Sequence, residues 1–326
     1  MNLSTEYLGL KLKNPIIIGS SGLTDNIDKL KKLQENNAGA VVLKSLFEEQ
    51  INAEVYKIVN EGDNSYPESY EYIKEYTKDK TITDYLKLVE NAKRELDIPV
   101  IASINCISDS EWINFAEDIE KAGADALELN ISLLPSDPFA ESRDNEEVYY
   151  KIIEKVSGVL NIPISLKLSY YSSGLAQLIY NLSAAKKVKG IVLFNRFYNP
   201  DIDLDTLDIV SSNVFSSPEE YTLPLRWIAL LSEKIDADMA ATTGIHDGNS
   251  AAKQILAGAS AVQVVSAIYL NGSDFINDML KDIENVMNKH GLDSVEQMKG
   301  KLSFKKDKYN RAFERIQFMK YFGGIS

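Results

Sequence analysis

Short apolar runs alternate with amphipathic stretches along most of the chain, and the apolar runs end in small or polar residues. Runs of this length, separated by helical spacing, are typical of buried parallel strands. The pattern predicts strands at 15–18, 40–43, 100–104, 126–130, 164–168, 190–194, 239–242 and 261–265. Eight strands that alternate with helices predict a (β/α)8 TIM barrel of the α/β class.

Two stretches depart from this alternation. Residues 48–85 are charged and contain six tyrosines, and they are too long for a simple strand-helix connection. We expect an insertion after strand 2 that covers the barrel mouth, although a small packed subdomain fits equally well. After Gly272, the spacing of Phe275, Met279 and Ile283 predicts a C-terminal helical extension. No interdomain linker is apparent, so we expect a single domain over 1–326.

Polar residues at the strand ends are the first candidates for chemistry, because barrel enzymes place their active sites at the carboxyl ends of the strands. They are Ser20, Lys44, Asn105, Asn130, Lys167 and Asn195. Lys44 closes its strand, and an ordinary lysine that reaches solvent is the simpler interpretation. Lys167 lies inside an apolar run, which favours an anion partner in the barrel over a core salt bridge.

Residues 239–272 predict two consecutive strand-loop-helix units. The loops carry Thr243-Gly244 and Ser266, and each precedes a helical pattern. Helix N-termini present unpaired N–H groups to an anion, and the loops after the last two barrel strands are the usual phosphate site. The alternative is that the glycine only turns the chain.

Composition excludes several kinds of partner. The 48 acidic and 35 basic residues give a formal charge of −13, which disfavours nucleic acid. One cysteine, Cys106, and two histidines leave no disulfide and no cysteine or histidine metal cluster. No basic leader segment and no apolar run of about 20 residues is present, so we expect a cytoplasmic protein without a membrane partner.

Several short motifs occur in order along nearly the whole chain apart from 48–85. In these motifs the chain resembles the dihydroorotate dehydrogenase family, class 1-like, whose members are FMN-dependent barrels. The motifs are Asn14-Pro15, Ser20-Ser21-Gly22, Lys44-Ser45, Glu128-Leu129-Asn130-Ile131-Ser132, Leu166-Lys167-Leu168, Asn195, Thr243-Gly244-Ile245 and Gln263-Val264-Val265-Ser266.

The resemblance implies a set of FMN contacts. Those residues are Ser20, Ser21, Lys44, Ser45, Asn130, Lys167, Phe194, Thr243, Gly244, Val265 and Ser266. Lys44, Asn130 and Asn195 would bind the substrate. Because the chain has no Gly-x-Gly-x-x-Gly fingerprint for a pyrophosphate, we expect FMN and not FAD.

The residues that would form the family's substrate site are altered in this chain. The family's cysteine or serine base would fall at Leu133, which cannot take a proton. Arg196 stands where a serine is expected, and the family's lid motif is not visible in 48–85. Cys106, Ser132 and Ser136 are substitute bases to consider, although a structural role is the simpler interpretation of each.

The resemblance implies an FMN-dependent oxidoreductase that transfers hydride from a substrate CH–CH bond to flavin N5, in pyrimidine biosynthesis. Two alternatives remain open: a Schiff-base aldolase with Lys167 as nucleophile, or a flavin-binding barrel without dehydrogenase activity. We expect a small-molecule substrate, and a homodimer is one option for assembly.

Overall fold

The computed structural model describes residues 1–47, 67–105, 112–131, 133–185, 187–197, 199–304 and 313. The strands are β1 (Thr5–Tyr7), β2 (Leu10–Leu12), β3 (Ile16–Ile18), β4 (Ala40–Val42), β5 (Leu46–Phe47), β6 (Val100–Asn105), β7 (Ala126–Ile131), β8 (Ile164–Leu168), β9 (Val188–Leu193), β10 (Pro200–Ile202), β11 (Ile209–Ser211), β12 (Asp238–Thr242) and β13 (Ala261–Val264). The helices are α1 (Ile27–Glu35), α2 (Pro67–Glu95), α3 (Trp112–Lys121), α4 (Ser142–Val159), α5 (Leu175–Ser183), α6 (Thr222–Leu231), α7 (Gly248–Ala257), α8 (Ser266–Asn271), α9 (Phe275–Lys289) and α10 (Val295–Met298).

The central sheet is a closed ring of parallel strands. Its order is β3, β4, β6, β7, β8, β9, β12 and β13, and β13 pairs again with β3. The short strand β5 adds a further parallel pairing to the end of β6. This ring with its flanking helices confirms the predicted (β/α)8 barrel, and α9 confirms the C-terminal helical extension.

The barrel interior has an apolar floor and polar upper levels. Alternate strand residues point inward, and paired residues of neighbouring strands lie at the same level. The apolar floor consists of Tyr7, Leu8, Leu12, Ile17, Ala40, Val42, Ile101, Ala126, Val192, Ala240 and Ala261. The register of β6, β7 and β8 then places two polar levels above it: Ser103, Glu128 and Ser165, followed by Asn105, Asn130 and Lys167.

An N-terminal hairpin closes the bottom of the barrel, a feature that the apolar pattern did not predict. Strands β1 and β2 pair antiparallel, and Tyr7 at the end of β1 is fully buried. The backbone N–H of Leu8 donates to Asp238 Oδ2 at 3.0 Å. A Cβ at Gly190 would collide with the Leu8 side chain, so the glycine leaves the space that this hairpin fills.

The predicted insertion differs in the structure. Helix α2 runs unbroken into it, and its Tyr85 is buried against the barrel, so 67–85 extends a barrel helix. The structure also contains two elements outside the predicted alternation: β10 and β11 pair as an antiparallel hairpin, and a 3-10 turn, Pro218–Tyr221, precedes α6. Residues 48–66 lie outside the described residues.

No helix of the described residues is long and apolar enough to span a bilayer. No group of three or more His, Cys, Asp or Glu side chains in the same residues is arranged to hold a metal ion.

Candidate active site at the carboxyl ends of the barrel strands

One open cavity of about 490 Å³ lies at the carboxyl ends of the strands. All the residues that the sequence assigned to cofactor or substrate line it: Ser20, Ser21, Lys44, Ser45, Asn130, Lys167, Phe194, Asn195, Thr243, Gly244, Val265 and Ser266. The structure therefore brings these residues together, while the role of each remains a prediction. Sequence reasoning assigned no cofactor or substrate role to other wall residues, which include Arg196, Phe215, Ser216, Gln263 and Tyr269.

Lys167 forms the floor of the cavity. Its ammonium donates to Gln263 Oε1 at 3.1 Å and lies 3.7 Å from Glu128 Oε1. Gln263 Nε2 in turn donates to Glu128 Oε2 at 2.5 Å. The core salt bridge, which sequence reasoning disfavoured for Lys167, is therefore present, and the lysine also lines the cavity.

A row of serine hydroxyls lies on the wall beside Lys44. Ser45 Oγ lies 2.9 Å from Ser20 Oγ and 2.7 Å from Ser103 Oγ. The Tyr85 hydroxyl fixes the inner end of this row, because it accepts from the Ser103 N–H at 2.7 Å and donates to the Ser103 carbonyl at 3.0 Å. Burial raises the pKa of Tyr85, so this hydroxyl stays a donor at ordinary pH.

Lys44 differs from Lys167 in its surroundings. It is half-buried on the cavity wall, and its ammonium has no hydrogen-bond or ion-pair partner among the described residues. Its backbone N–H donates to the Thr24 carbonyl at 3.2 Å, which fixes the strand end. Lys44 lines a cavity that is open to solvent, so its role in the site stays a prediction.

The Thr243-Gly244 turn has an unusual backbone. Both residues have positive φ, 74° for Thr243 and 76° for Gly244. A β-branched residue rarely adopts this conformation, and here the Thr243 hydroxyl donates to the Phe194 carbonyl at 3.0 Å. A Cβ at Gly244 would collide with the backbone of Tyr221, so the turn packs directly on the 3-10 helix.

A second polar cluster lies beside this turn. Ser216 Oγ is 3.0 Å from His246 Nε2 and 3.1 Å from Ser266 Oγ, and the Ser216 N–H donates to Ser266 Oγ at 3.1 Å. Sequence reasoning selected Ser266 but missed Ser216 and His246. Their contacts link residues 50 and 30 positions apart, and no local pattern reports such a separation.

Arg196 connects two cavity segments. Its Nε donates to Glu220 Oε1 at 3.2 Å, and its Nη1 donates to the carbonyls of Asn213 and Val214 at 2.8 and 3.1 Å. These bonds hold the segment after β11 over the cavity. The expected serine could not make them, because a single hydroxyl cannot reach three acceptors.

Leu133, at the expected position of the base, does not line this cavity. Its side chain packs against the core and borders a separate cavity of about 40 Å³ with Tyr149 and Tyr171. Its carbonyl accepts from Ser169 Oγ at 3.3 Å. Ser136 is exposed and also absent from the wall of the main cavity. Cys106 and Ser132 lie outside the described residues.

Aromatic residues after β8 flank the cavity. The Tyr170 and Tyr171 hydroxyls lie 3.0 Å apart, and the Tyr170 ring meets the Phe194 ring edge-on at 5.9 Å. The hydrogen bond to Tyr171, with partial burial, raises the pKa of Tyr170 to about 12. Because Phe194 lines the cavity, this tyrosine pair braces one of its walls.

The chain matches the model of a known family over most of its length. A family model described as dihydroorotate dehydrogenase matches residues 2–287. The chain belongs to the dihydroorotate dehydrogenase family. This family consists of flavin-dependent oxidoreductases that act on CH–CH groups in pyrimidine biosynthesis, and the chain is an oxidoreductase of this type.

Curated relatives cover almost the full chain. Proteins from Thermoplasma volcanium and Pyrococcus furiosus are each 27% identical, over 307 and 313 residues, and one from Methanocaldococcus jannaschii is 25% identical over 310 residues. These alignments cover 92%, 92% and 91% of this chain and 98%, 98% and 97% of the relatives. Each relative is described as dihydroorotate dehydrogenase B (NAD(+)), catalytic subunit.

Proposed function

We propose that the cavity binds FMN and that the chain uses it to oxidise or reduce a carbon–carbon bond of a small cyclic substrate. The supporting observation is that Lys167, the serine row and the Thr243-Gly244 turn converge on one cavity. Its volume of about 490 Å³ lies within the usual range for cofactor sites. Bound FMN would supply a hydride acceptor at N5.

The residues present fit such a cofactor. The Lys167 ammonium would face the pyrimidine side of the ring system, where it would stabilise the negative charge that develops on reduction. Ser20 and Ser45 offer hydroxyls to polar ring and ribityl atoms. Thr243-Gly244 and Ser266 would hold the phosphate at the edge of the barrel, where barrel enzymes usually bind one.

The substrate would lie over the flavin ring and beside Lys44. An ammonium without a partner among the described residues is suited to an anionic group, and the Asn130 and Asn195 amides offer donors and acceptors for ring polar atoms. Tyr269 and Phe215, whose rings are 5.7 Å apart, form an apolar rim above. Together these groups would orient a small polar ring.

The cavity is poorly equipped to remove a proton from dihydroorotate. Leu133 stands at the family's base position and does not line the cavity, and the described lining residues include serine hydroxyls but no carboxylate, thiol or imidazole. A positioned base typically contributes about 10²–10⁴-fold. We therefore propose that dihydroorotate is oxidised slowly or not at all, and that a different cyclic or unsaturated compound is the preferred substrate.

The aldolase alternative is disfavoured by the contacts of Lys167. Its amine is held by Gln263 and Glu128 as an ammonium donor, whereas a Schiff-base nucleophile needs a free amine. The family match also favours the oxidoreductase.

The names of the relatives support a further proposal on assembly. A catalytic subunit implies at least one other subunit in those enzymes, and we propose that this chain also works with a second protein that receives electrons. A homodimer remains a prediction. Light scattering of the purified chain, alone and after co-expression with a candidate neighbour protein, measures both assemblies.

The test of the proposed function starts from the purified chain. We expect a yellow protein whose released cofactor has the mass of FMN, and whose absorbance at 450 nm bleaches anaerobically with a substrate. A colourless protein that becomes covalently labelled by a carbonyl compound on borohydride treatment would contradict the proposal and support the aldolase.

A further inference from the structure

A charged group that the proposed reaction does not use lies directly beneath the cavity. Glu128, in the middle of β7, is fully buried, and its two contacts Gln263 and Lys167 are 1% and 8% exposed. The three side chains form a closed triangle, in which Gln263 bonds both Lys167 and Glu128 while the two charged groups lie 3.7 Å apart.

Stability does not explain this arrangement. A buried ion pair costs desolvation of both charges, and well-packed apolar residues in its place are often as stable or more so. Among the described residues, Glu128 Oε1 also makes no hydrogen bond, which adds to the cost. A buried carboxylate kept at this cost points to a role in the site above it.

Gln263 sets the geometry of the triangle. Its carbonyl oxygen accepts from the Lys167 ammonium, and its amide nitrogen donates to the Glu128 carboxylate. The amide therefore fills the space between the two charges on one side and keeps the ammonium at the level of the cavity floor. Without it, the ammonium would be drawn toward Glu128 and away from the cavity.

We propose that Glu128 is a positioning residue for the flavin reaction: acting through Lys167 and Gln263, it fixes the ammonium at the cavity floor and limits the positive charge that the flavin experiences. This inference rests on the proposed FMN site. Glu128 sets the reduction potential of the bound flavin, because part of the attraction between Lys167 and the reduced ring is offset by the carboxylate below it.

The expected size follows from Coulomb's law. Two unit charges roughly 10 Å apart, at an effective dielectric constant of about 20, interact strongly enough to shift an equilibrium roughly tenfold, and this is the size of the attraction between Lys167 and the reduced ring that Glu128 would offset. Glu128→Gln should shift the reduction equilibrium of bound FMN roughly tenfold toward the reduced form. For a two-electron couple this corresponds to a midpoint potential about 30 mV higher.

The experiment measures midpoint potentials of FMN-loaded protein in a double-mutant cycle of Glu128→Gln and Lys167→Met. Lys167→Met alone should lower the potential. If Glu128 acts through Lys167, Glu128→Gln should raise the potential in the wild type and change it much less in the Lys167→Met background. Glu117→Gln removes the same charge from the exposed face of α3 and should leave the potential unchanged.

Gln263→Met provides a second test. It keeps both charges and should shift the midpoint potential in the opposite direction to Glu128→Gln. With the amide gone, the ammonium should retreat toward Glu128, so the midpoint potential should fall. This variant also covers the case in which Glu128→Gln does not fold.

Several results would overturn the inference. An unchanged potential in Glu128→Gln, or an equal rise with and without Lys167, would show that Glu128 does not act through the lysine. An unchanged or raised potential in Gln263→Met would contradict the role of the amide. If the wild type fails to bind FMN, the proposed function fails and this inference with it, whereas FMN binding with unaltered potentials overturns the inference alone.

Discussion

Arg196 donates to Glu220 at 3.2 Å and so joins the end of the sixth barrel strand to the 3-10 helix that underlies the Thr243-Gly244 turn. The same guanidinium holds the carbonyls of Asn213 and Val214. One side chain thus connects the wall of the substrate half with the turn assigned to the phosphate.

Replacing Arg196 should loosen this wall. Arg196→Ala removes three hydrogen bonds, so we expect FMN binding to weaken roughly three- to tenfold, since bonds to a charged donor are each worth more than neutral ones. Limited proteolysis should also cut 199–217 faster. Fluorescence titration with FMN gives the affinity, and Arg226→Ala, at an exposed position of α6 and outside the cavity wall, serves as the control. Unchanged affinity and cleavage would show that the segment holds its place without Arg196.

Leu133→Cys should not raise the rate at which dihydroorotate reduces the bound flavin. From the sequence alone, a thiol at this position would be expected to raise the rate with dihydroorotate. In the structure the side chain borders the small cavity beside Tyr149 and not the main one, so a thiol there would lie out of reach of the substrate. We expect flavin reduction rates within about twofold of wild type by anaerobic stopped flow. A gain of a hundredfold would mean that this loop turns inward during the reaction.

Gly190→Ala should destabilise the barrel at the end that the N-terminal hairpin closes. The added methyl group would meet the Leu8 side chain and the Tyr7 hydroxyl, and overpacking of this kind typically costs about 1–3 kcal/mol. Gly158→Ala is the matched control, because Gly158 lies in α4 with open space around it and should gain roughly 0.5–1 kcal/mol. Urea unfolding of both variants measures the difference in the free energy of unfolding. Equal midpoints would show that the hairpin can shift to accommodate the methyl group without loss of stability.

The raised pKa of Tyr170 predicts that the folded protein loses stability at alkaline pH. Its pKa is raised to about 12 from an ordinary 10.0, chiefly by the hydrogen bond with Tyr171. A raised pKa in the folded state contributes stability that is complete below pH 10 and is lost as the pH rises towards 12. The stability difference between wild type and Tyr170→Phe should therefore be constant up to about pH 10 and shrink above it. A difference that grows with pH would have the wrong sign.

The barrel could be predicted from sequence because each strand is a continuous apolar run. Such a run can be recognised without knowing which strands it pairs with. The cavity wall followed for the same reason: a polar residue that ends an apolar run lies at the carboxyl edge, as Lys44 and Asn195 show. Lys167 and Asn130 lie one residue before the ends of β8 and β7.

The missed features depend on contacts between distant residues. Gln263 and Glu128 are 135 positions apart, and within its own run Glu128 looks like an isolated polar residue in a strand. The N-terminal hairpin has two strands of three residues each, too short for a periodic pattern. For Leu133, the position relative to the strand was correct, but the direction of a loop side chain depends on packing against Tyr149 that no local pattern encodes.

Paired substitutions at Ser266 test the central claim most directly. Asp and Asn have nearly the same shape, so Ser266→Asp differs from Ser266→Asn mainly by a negative charge at the loop assigned to the phosphate. Apo protein is titrated with FMN and with riboflavin, which lacks the phosphate. We predict that Ser266→Asp binds FMN at least tenfold more weakly than Ser266→Asn, while the two bind riboflavin alike. Equal FMN affinities for the two variants, or no flavin binding by the wild type, would contradict the account.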